Sequence, residues 1–464
     1  MFDFSNIQGN ILRGYASFPH ARFLYLAVHD AGDGRSLLKA LLDSGSVTPA
    51  QWSEKPDAAL NLALTFAGLR ALGLPEESLA TFPAEFREGM KVRAKALGDV
   101  GKSSPQWWDE PWKTSRVDIL VMIYGRTEGA LEERCRTFRQ SLPAGVTELG
   151  PDQPAGFFSK DNEKARREHF GFVDGLSNPA VEGVSRDGGA GRSQEIGNPD
   201  ERGRFRKIPL GEFILGYPGE GGDLAPMPLP NLLSHNSTYL VFRKLEQNVP
   251  LFRDYIAEQA RSFARTIPGG LPNGVTAEDF LAAKMMGRWQ DGSSLIEHPD
   301  RPTKALDNGF AYADDPAGAR CPLGAHVRRT NPRDALGFGG KTMSRHRLIR
   351  RGITYGKPLP PDERDDERRG ILFIAFNSGF DQFEFVQQLW VNFGDDFEQS
   401  NDGDPIAGSS QGGQMVIPGD ETTGRRPFIC FNIPRFVETK GGDYFFVPSL
   451  AALRLLASGR VRAS

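Results

Sequence analysis

The chain has 464 residues and a formal net charge of -3, with 39% hydrophobic and 25% charged side chains. That is enough chain for two to three domain-sized units with a sizeable core. A nearly neutral balance gives no sign of the basic excess of a nucleic-acid binder, and no apolar run approaches the ~20 residues that cross a bilayer.

Apolar periodicity sets out the elements in chain order. Residues 23–29 have a buried-strand pattern, and 36–42 carry helical spacing. Residues 60–66 alternate like a strand. A strong strand follows at 117–124, then a helix at 127–142 with Glu and Arg spaced for i,i+4 support, then a short strand at 146–149. Strand–helix–strand followed by strand–helix–strand is a split βαβ unit of the ferredoxin-like kind. The second half repeats the plan: strand 237–242, helix 251–263, strand 371–376, helix 381–391, and late strands at 428–432 and 444–447. The expected fold class is therefore α+β. Two ferredoxin-like halves, each an antiparallel sheet with flanking helices, would occupy residues 1–190 and 204–464, joined by the polar, Gly-rich segment 187–203. Two Gly/Pro-rich stretches, 216–230 and 407–419, are expected as long loops, which in compact proteins tend to be functional.

Cysteine is scarce. Cys135, Cys321 and Cys430 are odd in number, widely spaced and without a CxxC pair. This speaks against a disulfide framework or a zinc site and points to a reducing compartment. The first residues carry neither a basic nor an apolar leader pattern, so a cytoplasmic location is expected. The arginine cluster Arg345, Arg347, Arg350 and Arg351 lacks interleaved aromatics and is expected as a solvated or carboxylate-paired face.

Three segments carry chemistry. In Gly171-Phe172-Val173-Asp174-Gly175-Leu176-Ser177-Asn178-Pro179, an acid sits between glycines that allow turns a side chain would forbid. The second is Cys321-Pro322-Leu323-Gly324-Ala325-His326-Val327-Arg328-Arg329-Thr330-Asn331-Pro332-Arg333. The third is Arg347-Leu348-Ile349-Arg350-Arg351-Gly352-Ile353-Thr354-Tyr355-Gly356. In this order, and with the opening Asn6-Ile7-Gln8-Gly9-Asn10-Ile11-Leu12, they resemble the dye-decolorizing peroxidase family of haem enzymes, in its longer-chain subgroup. The resemblance runs from near the N-terminus to about Val447.

The resemblance implies two ferredoxin-like halves with haem b (iron protoporphyrin IX) held mainly by the C-terminal one. It implies a peroxidase that reduces hydrogen peroxide and oxidises dyes, phenolics or other one-electron donors through a ferryl intermediate. Relatives often assemble, so a homo-oligomer is an open expectation; no membrane partner is expected. Of seven histidines, the resemblance makes His326 the iron ligand, with His169, five residues before Asp174, the rival. A metal-bound histidine usually gives its other ring nitrogen to a carboxylate or carbonyl. On the 381–391 helix, Asp381 and Glu384 lie one turn apart, and the Phe-Glu-Phe-Val-Gln pattern resembles the family segment that supplies this partner, so Glu384 is expected there. Asp174 is the expected acid–base residue and Arg350 the charge stabiliser, with Arg351 an alternative because neighbours on a strand point to opposite faces. Arg329 is expected beside a haem propionate. Ile371 and Phe373 resemble the apolar wall of the haem pocket. Tyr355 and Trp390 are possible sites for outer electron transfer and are not counted as catalytic. A haem-binding or haem-transfer protein with incidental peroxidase activity is the alternative, and a non-haem scaffold a third reading. Passive haem binding needs neither Asp174 nor Arg350.

Overall fold

The computed structural model describes residues 3–114, 116–158, 166–184, 198–199, 205–336, 341–394, 402–409 and 412–461. Its first run of strands is β1 (His20–Val28), β2 (Ala58–Leu64), β3 (Ile119–Gly125) and β4 (Val146–Glu148), with β5 (Gln153–Gly156) also pairing β1. Helix α1 (Ala31–Asp43) links β1 to the segment before β2, and α2 (Glu128–Gln140) links β3 to β4. Both helices start on side-chain caps, Asp30 accepting from Asp33 N and Thr127 from Ala130 N, which satisfies donors the first turn leaves orphaned.

The second run is β6 (Thr238–Gln247), β7 (Ile349–Arg350), β8 (Ile353–Tyr355), β9 (Gly370–Asn377) and, after a separate hairpin, the long strand β12 (Val437–Val447). That hairpin pairs β10 (Gly413–Ile417) with β11 (Phe428–Ile433). Helix α3 (Val249–Ala264) follows β6. Helix α4 (Ala277–Met286) and the short α5 (His326–Thr330) lie between α3 and β7. Helix α6 (Asp381–Phe385) follows β9 and continues as a π-helical stretch, Val386–Asn392; α7 (Leu450–Ser458) closes the chain.

The antiparallel sheet has the order β8-β9-β6-β12-β2-β3-β1-β4, with β7 pairing β9. Within each run the strands stand second, third, first, fourth, the ferredoxin-like order expected of both halves. One register pair, Phe446 opposite Leu64, joins the runs. The outer ends then meet: Thr354 Oγ1 in β8 donates to the Gly156 carbonyl at the end of β5, so the sheet curls into a barrel. Apolar packing also joins the two runs. Trp112 stacks on Phe242 at 5.3 Å and meets Tyr25 edge-on at 4.8 Å, geometries in which aromatic pairs gain beyond their buried area.

Strand 444–447 is longer than its sequence pattern suggests, and 407–419 holds a strand as well as a loop. The segment 187–203 lies, Asn198 and Pro199 apart, outside the described residues. Among the described residues no helix is long and apolar enough to cross a membrane.

Candidate active site

A cavity of about 750 Å³ opens beside the second run of strands, in the upper part of the ~300–1,000 Å³ range typical of ligand sites. Its floor follows from strand alternation. Arg243, Leu245 and Gln247 of β6 and Ile371 and Phe373 of β9 line it, while Phe242, Leu372 and Ile374, at alternate positions, are buried in the core. Ile371 lies opposite Leu245, and Phe373 opposite Arg243. The two residues expected as an apolar wall are thus neighbours on one face.

The loop after β5 brings Asp174 to the same cavity. Gly171 and Gly175 have φ of +98° and +79°, conformations that favour glycine. Between them the backbone is tied down: Val173 N donates to the Gln290 carbonyl at 3.0 Å and Asp174 N to the Arg166 carbonyl at 2.9 Å. Burial lowers the pKa of the Arg166 guanidinium, and the Asp174 carboxylate opposes that shift, so the two charges feel each other. Ser177 holds a left-handed φ of +60°, a strained position of the kind that clusters at functional sites. Its hydroxyl donates to Asn308 Oδ1 at 2.8 Å and accepts from the Arg288 guanidinium at 3.1 Å.

Arg350 and Arg351 both touch the cavity, but they are committed differently. Arg350 N donates to Asn178 Oδ1 at 2.9 Å and its guanidinium to the Leu176 carbonyl at 2.7 Å, four and two residues after Asp174. Arg351 turns away to the carbonyls of Asn10 and Ile11, and burial pushes it down to about 10. Arg347, three residues upstream, also lines the cavity and bonds Asn331 Oδ1 and the Ser177 carbonyl, each at 3.1 Å. It is buried, so at this position the basic cluster is an interior wall and not a solvated face.

His326 opens α5 and lines the cavity. Its Nδ1 meets Asp404 Oδ2 at 2.8 Å, which leaves Nε2 as the ring nitrogen for a cavity ligand. Burial works against a protonated ring, but the Asp404 carboxylate outweighs it and raises the pKa. Asp404 is fully buried, and its other oxygen accepts from Ile406 N and Ala407 N at 2.8 and 2.9 Å. Such a carboxylate orients the ring and makes it a better electron donor.

This corrects the expectation for Glu384. Both its oxygens are taken by Arg93, and it also accepts from Tyr444 Oη at 2.6 Å and Gln388 Nε2 at 3.2 Å. Phe383, its neighbour on α6, faces the cavity instead. Arg329 is corrected too. Its guanidinium is fully buried and donates to the carbonyls of Trp390, Asp402 and Phe393. It braces the turn that carries Asp404 and does not line the cavity. The rival His169 lies outside the cavity lining; Nε2 pairs with the Tyr355 carbonyl at 2.8 Å, and burial pushes the ring down to about 4. Tyr355 and Trp390 are 5% and 1% exposed, so a bulky donor can touch neither. Asp404 escaped the sequence reading, although Asp404-Pro405 is a turn-initiating pair that could have flagged it.

An iron porphyrin fits these residues. A carboxylate-held histidine presents one nitrogen, Leu245, Ile371 and Phe373 make an apolar patch across two strands, and the guanidinium-bearing Arg347 and Arg350 line the same cavity. The model described as the DyP dimeric alpha+beta barrel domain matches residues 6–151. The chain is 31% identical to the multifunctional dye peroxidase DyP2 of Amycolatopsis sp., over 97% of this chain and 95% of that protein. It is 30% identical to a dye-decolorizing peroxidase of Mycena epipterygia, over 98% of this chain and 87% of that one. A solved dye-decolorizing peroxidase in complex with 2,6-dimethoxyphenol superposes with a TM-score of 0.80 at 27% identity, covering 98% of this chain and all of the other.

Proposed function

This chain belongs to the dye-decolorizing peroxidase family and is a haem peroxidase, and from that premise we propose that it uses haem b to reduce hydrogen peroxide to water at the expense of two one-electron donors. Dyes and small phenols are the donor class; a phenol is the ligand of one similar solved structure. The observation that carries the reading is one cavity lined by His326, Asp174 and Arg350, with the histidine pinned by a buried carboxylate.

His326 Nε2 is the atom that would hold the iron, and Asp404 fixes the ring's direction. Bound there, the haem supplies two-electron cleavage of the peroxide O–O bond and then one-electron oxidation of each donor. Asp174 takes the proton from one peroxide oxygen and hands it to the departing one, a positioned proton transfer typically worth 10²–10⁴-fold. Arg350, held by the Asp174 loop, offers positive charge where negative charge develops. Ile371 and Phe373 keep water off this part of the cavity. The three free, buried cysteines fit the reducing cytoplasm we infer for the protein.

The test is an absorption spectrum of haem-reconstituted protein before and after one equivalent of hydrogen peroxide. A Soret band that shifts quickly on peroxide addition is expected. A Soret band indifferent to peroxide would favour haem binding or transfer, and no Soret band would sink the haem assignment.

A further inference from the structure

We infer that Glu168 is the positioning residue of the peroxide-cleaving site, pinning the loop of Asp174 to the sheet through Gln247. The inference rests on the reading of Asp174 as the acid–base residue. Glu168 is buried and lines the cavity, yet nothing in the proposed chemistry uses it. Its Oε1 accepts from Phe172 N at 2.9 Å. Its Oε2 accepts from Phe170 N at 2.9 Å and from Gln247 Nε2 at 2.5 Å. The carboxylate therefore spans the turn that leads into Asp174 and closes it from inside. The backbone closes the same turn: Glu168 N donates to the Phe172 carbonyl and Gly171 N to the Glu168 carbonyl.

Gln247 is the fixed end of this clamp. It is the last residue of β6, its N donates to the Arg369 carbonyl, and it lies opposite Val437 in β12. The turn is thus registered against the strand whose Leu245 faces the cavity beside Ile371. A carboxylate this deep in the protein is costly. Burial pushes Glu168 up to about 7, against the pull of its three donors. A hydrophobic residue would avoid that cost but could not tie two backbone amides and a sheet amide to one point. Misplacing a catalytic group by about 1 Å can cost ~10²-fold, so a clamp one turn from Asp174 has leverage on rate.

Glu168→Gln keeps the shape but sets an amide donor against N–H donors, so one end of the clamp opens. With stopped-flow detection of the Soret change, we expect the second-order rate with hydrogen peroxide to fall about tenfold or more, with the Soret band of the resting protein unmoved. In an Asp174→Asn background the same substitution should slow nothing further, because Glu168 acts through Asp174. Adding Gln247→Glu to Glu168→Gln restores a carboxylate–amide pair with its direction reversed and should recover part of the rate. If Glu168→Gln does not fold, Gln247→Leu reads the same coupling, slowing the wild-type background and not the Asp174→Asn one. A rate within about twofold of wild type, or equal slowing in both backgrounds, would overturn the inference. An Asp174→Asn rate equal to wild type would instead remove the premise, and Glu168 with it. The two failures are separated by the single Asp174→Asn measurement.

Discussion

The two runs of strands share one order but not one content. The first run ends on a short connection: α2 starts three residues after β3 ends, and β4 follows close behind. Its strands β1, β2 and β3 are buried almost throughout, packed by side chains alone. The second run keeps the strand order but leaves residues 265–348 between α3 and β7, and this insertion holds His326. One face of β6 and β9 then opens on the cavity where the first run would be packed shut. The first run is not idle, since the loop after β5 crosses over to deliver Asp174. Repetition built the frame, and chemistry entered through the connections, as is general for folds that host many functions.

The harshest way to break this comparison is His326→Ala. We expect loss of the Soret band after reconstitution, with far-ultraviolet circular dichroism unchanged, because the ring packs in the insertion and not in the sheet. A normal Soret band would move the ligand elsewhere. Next comes Asp174→Asn, which tests the residue contributed from the first run. Haem should stay bound while the peroxide step slows by about 10²-fold or more. An unchanged rate would take Asp174 out of the mechanism.

Two carboxylates sharpen the contrast further. Asp404→Asn should cost about 10–100-fold in haem affinity or peroxide rate, since it weakens the bond that orients His326. Glu384→Gln should leave both untouched and lower stability by about 2 kcal/mol, a figure reduced because Arg93 is 22% exposed. Thermal unfolding and peroxide kinetics on the two variants decide it. If Glu384→Gln slows peroxide and Asp404→Asn does not, the assignment of the histidine partner is reversed.

That pair also marks how far the sequence could be read. Asp174, His326, Arg350, Ile371 and Phe373 were legible because each sits in a segment that resembles a family motif, with glycines around the acid and alternation along the strand as local support. All five line one cavity. The partner of His326 was not legible, because helical spacing says which residues share a face but not what that face meets. Glu384 met Arg93 and Tyr444 from the first run and β12. Arg329 shows the same limit. At i+3 from His326 it lies near the ligand, as expected, yet its fork found three orphaned carbonyls. Most of β12 was hidden for a backbone reason. Gly441-Gly442 reads as a turn, but the strand runs through it as an irregularity against β6, with Gly441 so close to Trp112 that no side chain would fit.

The effect remotest from the cavity lies at the seam between the two runs. Asp443, in β12, accepts from Met90 N and Tyr444 N, each at 2.9 Å, so it fastens the segment after β2 to the second run. Burial pushes its carboxyl up to about 6, against those two donors and Lys91. An acid whose pKa is higher folded than unfolded contributes stability that is fully present below the unfolded value, near 3.8. That stability is lost as pH rises through about 6. Asp443→Asn cannot titrate and keeps the one oxygen, Oδ1, that accepts from both amides. The variant should therefore gain on wild type as pH rises from about 4 to 6, by up to about 3 kcal/mol, and hold a constant difference above that. Denaturant unfolding of both proteins across this range measures the gap directly. A gap that stays flat from pH 4 to 7 would mean the seam carboxyl is solvated and does not tie the stability of the seam to pH.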